Sequence, residues 1–295
     1  MLIACVIVIL AVYYPRGDLM RRSARPFDPR QSMQRQDFEV FRYHDPKTRE
    51  IPLHHHDFYE IYYFLGGNVE YLVEGRSYRL EPEDILLINP SELHRPNVAP
   101  DEAYERIVLW INTDYLEQME DSELLRRCFE TGNNLLRGAY TPAAGLMRQL
   151  AEESVSVRTG SKLYAKGLFF QLMAELIRMT NENYGTDTAG QEPQLITKVI
   201  SYLGDHFREE VSLDALAERF FVSKYHLSHQ FSRSVGTGVY RYILLKRLQY
   251  AKQLLYDGTS PGEACQESGF TDYANFYRSF RSVYGISPQD AAKRI

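Results

Sequence analysis

The chain has 295 residues, of which 44% are hydrophobic and 25% charged, close to the average for folded globular proteins. This composition argues against a largely disordered chain, and the length suits two domains. A net charge of −5 argues against indiscriminate nucleic-acid binding by the whole molecule, yet the charge is uneven. From Gln194 onward 13 Lys and Arg stand against 10 Asp and Glu, while the remainder holds 21 against 29. A basic C-terminal part on an acidic body hints at a polyanionic partner. Three widely spaced cysteines (Cys5, Cys128 and Cys265) form neither a disulfide framework nor a metal knuckle, which fits a reducing, cytoplasmic setting.

The first element, MLIACVIVILAV, is shorter than the roughly 20 apolar residues of a spanning helix. Its arginines (Arg16, Arg21 and Arg22) follow the apolar run, whereas a signal peptide carries basic residues before it. Three readings stand: translation beginning at Met20 or Met33, an anchor or uncleaved signal, or a packed segment. Residues 1–32 are taken as a tail, and no membrane partner is expected.

From 33 to 112 the sequence reads as short strands. YEIYYFL (59–65), NVEYLV (68–73), RSYRL (76–80), DILLI (84–88) and RIVLWI (106–111) are aromatic or β-branched and bounded by turn signals. Gly66-Gly67-Asn68 and Glu74-Gly75 supply the positive-φ positions of tight hairpins. The spacing predicts a small antiparallel barrel or jelly roll. The period then turns helical over 113–180. Thr141-Pro142 reads as an N-cap with proline at the first helical position, and Leu146 and Leu150 recur at i+4. Leu168, Phe169, Leu172, Leu176 and Ile177 form an apolar stripe that serves as domain core or as a dimer seam. The polar, Gly- and Pro-bearing stretch 181–193 reads as a linker.

The C-terminal part, 194–295, contains an internal repeat. LDALAERFFVSKYHLSHQFSRSVG (213–236) aligns with PGEACQESGFTDYANFYRSFRSVYG (261–285), and one extra residue falls at the turn. Ser260-Pro261-Gly262-Glu263 is a capping box with proline at N1, Thr271 or Asp272 caps the next helix, and Ser223 does so in the first copy. Leu227 and Phe231 in one copy, and Phe276 and Phe280 in the other, face inward at i, i+4. The opposite faces carry Lys224, Tyr225, His226, His229, Gln230 and Arg233 in the first copy. In the second they carry Tyr273, Ala274, Tyr277, Arg278 and Arg281. Two helices joined by a short turn, the second polar-faced, make a major-groove reader. The segment 239–258 predicts one continuous connecting helix, which would set the two readers in successive major grooves about 34 Å apart.

These residues resemble the AraC/XylS transcriptional regulators over about the last 100 residues of the chain. The resemblance rests on Arg247-Leu248, Ala251, Leu254-Leu255, Gly269-Phe270-x-Asp272, Phe276, Phe280 and Gly285-x-Ser287-Pro288. Cys265 stands where the family usually has Ala, and Asn275 where an aromatic is common. The resemblance implies that the helix over Ser223–Val235 reads bases strongly, while the helix over Asp272–Tyr284 does less base reading and more backbone gripping. It also implies a homodimer and RNA polymerase as a further partner.

The N-terminal barrel is similar to the cupin-type sensing domain of that family. His54-x-His56, Glu60 and Gly67, with His94 further on, match a cupin metal spacing. Two readings follow: a metal-dependent cupin enzyme (Fe, Mn or Zn) with an accessory helical domain, or a set of hydrogen-bonders lining a small-molecule pocket. The resemblance favours the second. The expected ligand-binding residues are then His54, His56, Glu60, His94 and Trp110, with no metal, no cofactor and no catalysis. The expected fold is α+β, an antiparallel cupin or jelly-roll barrel with following helices and then an all-α tandem helix-turn-helix domain. The expected function is a ligand-responsive activator that binds duplex DNA and is tuned by a small molecule such as a sugar.

Overall fold

The computed structural model describes residues 24–25, 32–46, 51–90, 92–99, 102–130, 133–137, 141–181 and 194–293. The apolar N-terminal run and residues 182–193 of the expected linker lie outside the described residues.

Among the described residues nine strands build the N-terminal domain: β1 (Ala24–Arg25), β2 (Phe38–Asp45), β3 (Tyr59–Gly66), β4 (Val69–Val73), β5 (Arg76–Arg79), β6 (Ile85–Ile88), β7 (His94–Val98), β8 (Tyr104–Ile111) and β9 (Leu135–Leu136). One sheet has the order β1-β2-β8-β3-β6-β9 and the other β5-β4-β7. All pairings are antiparallel except β1 with β2. The β4–β5 turn uses Glu74 at φ 45° and Gly75 at φ 75°, the two left-handed residues of a tight hairpin. Two short strands depart from the sequence reading. Ala24–Arg25, within the expected tail, joins the sheet edge, and Leu135–Leu136, within the expected helical region, pairs with β6. Two-residue strands leave no alternation to read.

Successive side chains on a strand point to opposite faces. Tyr59, Ile61 and Tyr63 of β3 meet one core, whereas Tyr62 and Phe64 meet the other. The second core is the barrel interior, dominated by Phe41, Tyr43, Phe58, Tyr71, Tyr78 and Trp110. The first lies between the six-stranded sheet and helices α1 (Thr113–Glu117), α2 (Ser122–Phe129), α3 (Pro142–Ser154) and α4 (Ser161–Asn181). Thr141 caps α3 and Pro142 opens it, as its sequence predicts. Leu146, Leu150, Leu168, Phe169, Leu172 and Leu176 are all buried in this core. The apolar stripe is therefore domain core, and the helices belong to the same folded unit as the strands.

The C-terminal domain contains α5 (Gln194–His206), α6 (Leu213–Arg219), α7 (Lys224–Val235), α8 (Val239–Tyr256), α9 (Pro261–Glu267), α10 (Tyr273–Tyr284) and α11 (Pro288–Ala292). The repeat is exact in helix length: α6 and α9 have 7 residues each, α7 and α10 have 12 each. The extra residue sits in the turn, 220–223 in the first copy and 268–272 in the second. Helix α8, 18 residues and about 27 Å long, is shared between two cores. Its first half (Val239, Tyr242, Ile243, Leu245) packs with α5, α6 and α7. Its second half (Leu248, Ala251, Leu255) packs with α9, α10 and α11. Among the described residues no helix is long and apolar enough to cross a membrane.

Candidate DNA-reading helices and ligand cavity

Each candidate reader helix is held at both ends by its own sequence. The Ser223 hydroxyl accepts from the His226 N–H at the start of α7, and Asp272 accepts from the Asn275 N–H at the start of α10. Ser260 and Glu263 complete the reciprocal capping box of α9. Gly236 and Gly285 end the two readers in the left-handed region. Leu227 and Phe231, and Phe276 and Phe280, are fully buried. That orientation turns Lys224, Tyr225, His226, His229 and Arg233 outward on α7, and Tyr273, Ala274, Arg278 and Arg281 outward on α10. Gln230 and Tyr277 are half-buried. Lys224 pairs with Asp214 at 2.6 Å, and the Tyr273 hydroxyl accepts from Gln289 at 2.6 Å. Cys265 is buried in α9, while Asn275 is exposed on α10, so its departure from the family pattern changes surface and not packing.

The barrel cavity brings together His54, His56, Glu60, Tyr62, Tyr71, Tyr104, Arg106 and Trp110. All five sequence-predicted ligand residues meet there or at its wall. Glu60 Oε2 accepts from Trp110 Nε1 at 2.9 Å and lies 3.2 Å from His56 Nε2. The His94 ring lies 4.3 Å from that of His54 and 4.8 Å from that of His56. Burial pushes His94 well below the usual imidazole range and lowers His54 as well, so both are held neutral. The same burial raises Tyr62 and Tyr71, and Tyr104 to about 12. Sequence reasoning did not name Tyr43, Tyr62, Tyr71, Tyr104 and Arg106. The signal was present as period 2: Glu60 with Tyr62, and Arg106 with Val108 and Trp110, lie on one face of β3 and of β8.

The two domains touch around this cavity. His54 and His56 face the barrel, while His55 between them is hydrogen-bonded to the Tyr284 hydroxyl at 3.1 Å. Lys252 pairs with Asp57 at 2.8 Å, and Lys246 with Glu74 at 2.6 Å. The Tyr242 hydroxyl donates to the second Glu74 oxygen at 2.7 Å. Gly75 comes so close to Ile200 that a Cβ would stand 1.8 Å from its Cδ1. Leu93, next to His94, is buried in the core of the first helix-turn-helix unit. A cleft of about 420 Å³ separates Glu70, Leu72, Ser77 and Asn97 of the barrel from His226, His229, Gln230 and Arg233 of α7.

Comparison with known proteins agrees with this architecture. The family model described as "AraC-like ligand binding domain" matches residues 35–173, and that described as "Helix-turn-helix domain" matches 216–294. The chain belongs to the AraC/XylS family of transcriptional regulators. This regulator is 28% identical to the HTH-type transcriptional activator RhaS of Salmonella arizonae over 81% of this chain and 87% of the relative. It is 25% identical to the uncharacterized HTH-type transcriptional regulator YbfI of Bacillus subtilis, over 77% of this chain and 82% of the relative. A solved protein of unknown function from Listeria innocua is 32% identical over 33% of this chain and 94% of that chain, with a TM-score of 0.32. The molecule is a ligand-responsive, DNA-binding transcription regulator, and its relatives are regulators, not enzymes.

Proposed function

We propose that this regulator is a cytoplasmic, homodimeric activator whose DNA affinity is set by a small polar effector in the barrel cavity, with a sugar as the expected class. The observation that carries the reading is the cleft between the barrel and α7. A helix that reads a major groove about 12 Å wide needs both flanks clear. Strands β4, β5 and β7 stand beside one flank, so the docked arrangement disfavours insertion of α7. An effector acts by changing the relative affinity of docked and released arrangements. The cavity is well placed for this, because His54, His56 and His94 sit on the segments that carry His55, Asp57 and Leu93 against the helical domain. A cavity of about 40 Å³ holds a water or two, so a sugar ring requires those segments to shift.

In the released state His226, His229, Gln230 and Arg233, with Ser223, Lys224 and Tyr225 at the helix start, address base edges. Tyr273, Ala274, Tyr277, Arg278 and Arg281 grip the second stretch of duplex. Activation, supported by the name of the relative RhaS, brings RNA polymerase as a further partner. The buried stripe of α4 leaves its other face for dimerisation, where Leu163, Tyr164 and Phe170 are exposed.

The test is selection of genomic fragments by the purified chain, followed by gel shifts at fixed salt with a panel of sugars. Sequence-specific retention and an affinity change with one sugar are expected. Equal binding to all fragments would refute the reading.

A further inference from the structure

Helix α8 joins two cores, and Arg247 stands where they meet. Up to Leu245 its buried residues pack in the first helix-turn-helix unit, and from Leu248 on they pack in the second. The Arg247 guanidinium reaches back to the end of α5. Its Nε donates to the Phe207 carbonyl at 2.6 Å, and its Nη2 to that of Glu209 at 2.7 Å. Both carbonyls lie just past the last residue of α5, where the helix dipole favours a cation. A planar fork holds two acceptors in one orientation, which a point charge does not.

The residue between those carbonyls is seated on the second unit. Gly269, in the turn between α9 and α10, lies so close to Arg208 that a Cβ would stand 2.3 Å from its carbonyl oxygen and 2.8 Å from its Cα. Phe207 packs against the first core and meets the Tyr250 ring edge-on at 5.7 Å, and the Arg208 guanidinium lies 5.5 Å over the same ring. Val283 of α10 packs against both cores. Residues 207–209 therefore form a second strut beside α8, and Arg247 ties the two struts together. A single helix fixes how far apart its two clients stand and leaves their twist to the packing on each half. Two struts fix both.

We propose that Arg247 is a positioning residue for DNA recognition. Through residues 207–209 and Gly269 it holds α7 and α10 at one separation and one twist, so that the protein accepts a single spacing between its two half-sites. The proposal rests on the reading above, in which both helices engage one duplex. Inserting one base pair between the half-sites moves the second by about 3.4 Å and turns it by about 35°. A rigid pair of readers cannot follow both changes, and one helix loses its base contacts. A pair free to twist follows the duplex and keeps them.

The full chain is titrated at fixed salt with a selected genomic fragment, and with the same fragment carrying one base pair more or fewer between its two footprinted halves. Fluorescence anisotropy is the readout. The reader separation is measured independently by dipolar coupling between spin labels at Ser232→Cys and Ser282→Cys, both exposed, with Cys5 replaced by Ser; Cys128 and Cys265 are buried. The wild type is expected to show one narrow distance and to lose about 30-fold in affinity on either altered fragment, the scale of one or two base contacts. Arg247→Met is expected to broaden the distance and to bring that penalty below about fivefold, the low end of one contact. Arg247→Lys reaches one carbonyl and recovers part of the penalty. A variant that merely lost stability would weaken all fragments by the same factor. Should Arg247→Met fail to fold by circular dichroism, Tyr250→Ala, half-buried at the same contact, is read by the same ratio. An Arg247→Met chain that keeps either the wild-type distance or the wild-type penalty overturns the positioning role. A wild type that binds all spacings alike also overturns it, and the distances then assign the fault. A broadened Arg247→Met keeps the brace and removes the two-reader reading, whereas an unchanged one removes both.

Discussion

Lys246 of α8 donates to Glu74 of the β4–β5 turn at 2.6 Å, 172 residues apart in sequence. Both side chains are mostly shielded from water, and Tyr242 occupies the other carboxylate oxygen. Exchanging the carboxylate for an amide removes the negative charge facing a shielded ammonium and leaves one acceptor oxygen where there were two, so Lys246 or Tyr242 loses its partner, a loss of ~1–3 kcal/mol to docking. Glu74→Gln is expected to separate the domains more often. Small-angle scattering should show a larger radius of gyration, and DNA affinity should depend less on effector. A double-mutant cycle with Lys246→Met should be non-additive, because the two residues act as one contact.

Phe221 and Gly269 occupy equivalent places in the two helix-turn-helix turns, at φ 54° and φ 85°. The left-handed conformation costs a residue with a Cβ ~1–2 kcal/mol, and Phe221, 95% exposed, regains little of that by packing. Phe221→Gly is expected to raise stability by up to ~1 kcal/mol, after the greater entropy of glycine in the unfolded chain is subtracted. Gly269→Ala behaves oppositely, since its Cβ would stand 2.3 Å from the Arg208 carbonyl oxygen, a backbone atom unable to swing aside. Thermal and urea unfolding of both variants check the pair.

The repeat was legible because helix length, caps and buried aromatics are local properties. Ser260, Glu263, Phe276 and Phe280 do the same work in any setting, and only the extra turn residue needed placing. The strands of the barrel were legible from turn chemistry at Glu74-Gly75 and from aromatic density. What could not be read was long-range. Nothing about Asp57 announces Lys252, and His55 looks like its two neighbours until the loop before β3 turns it to Tyr284. The stripe at Leu168–Leu176 was ambiguous for the same reason, since a buried face looks alike whether it covers a sheet or a second copy of the chain.

His229 and Arg233 are outward on α7, and Arg281 is outward in the last turn of α10. If the first reader addresses bases, His229→Ala and Arg233→Ala each lose ~1–3 kcal/mol on the specific site and little on random duplex. Arg281→Ala, as a phosphate contact, weakens both and lowers the salt slope by about 1. Fluorescence anisotropy over a salt series, on a selected fragment and on a scrambled one, separates the two patterns. Equal losses for all three variants on both duplexes would remove the division of labour.

The last prediction concerns α4. Leu163 is 77% exposed, Tyr164 56% and Phe170 51%, on a helix whose opposite face is fully buried. Gly167 lies one turn from Leu163, and among the described residues a Cβ there would meet nothing within 4 Å. A scattered apolar residue needs no explanation, but three within eight positions form a patch that a second copy can bury. Under the dimer proposal, α4 pairs with its symmetry mate through this face in an isologous contact, so one substitution acts twice. Leu163→Asp places two carboxylates against the seam and should shift the chain from dimer to monomer in light scattering, with the melting profile of each protomer little changed. Phe170→Ser, truncating the neighbouring ring, should weaken the dimer less. A wild-type chain that is monomeric at tens of micromolar would remove the dimer, and a Leu163→Asp variant that stays dimeric would move its contact to another surface.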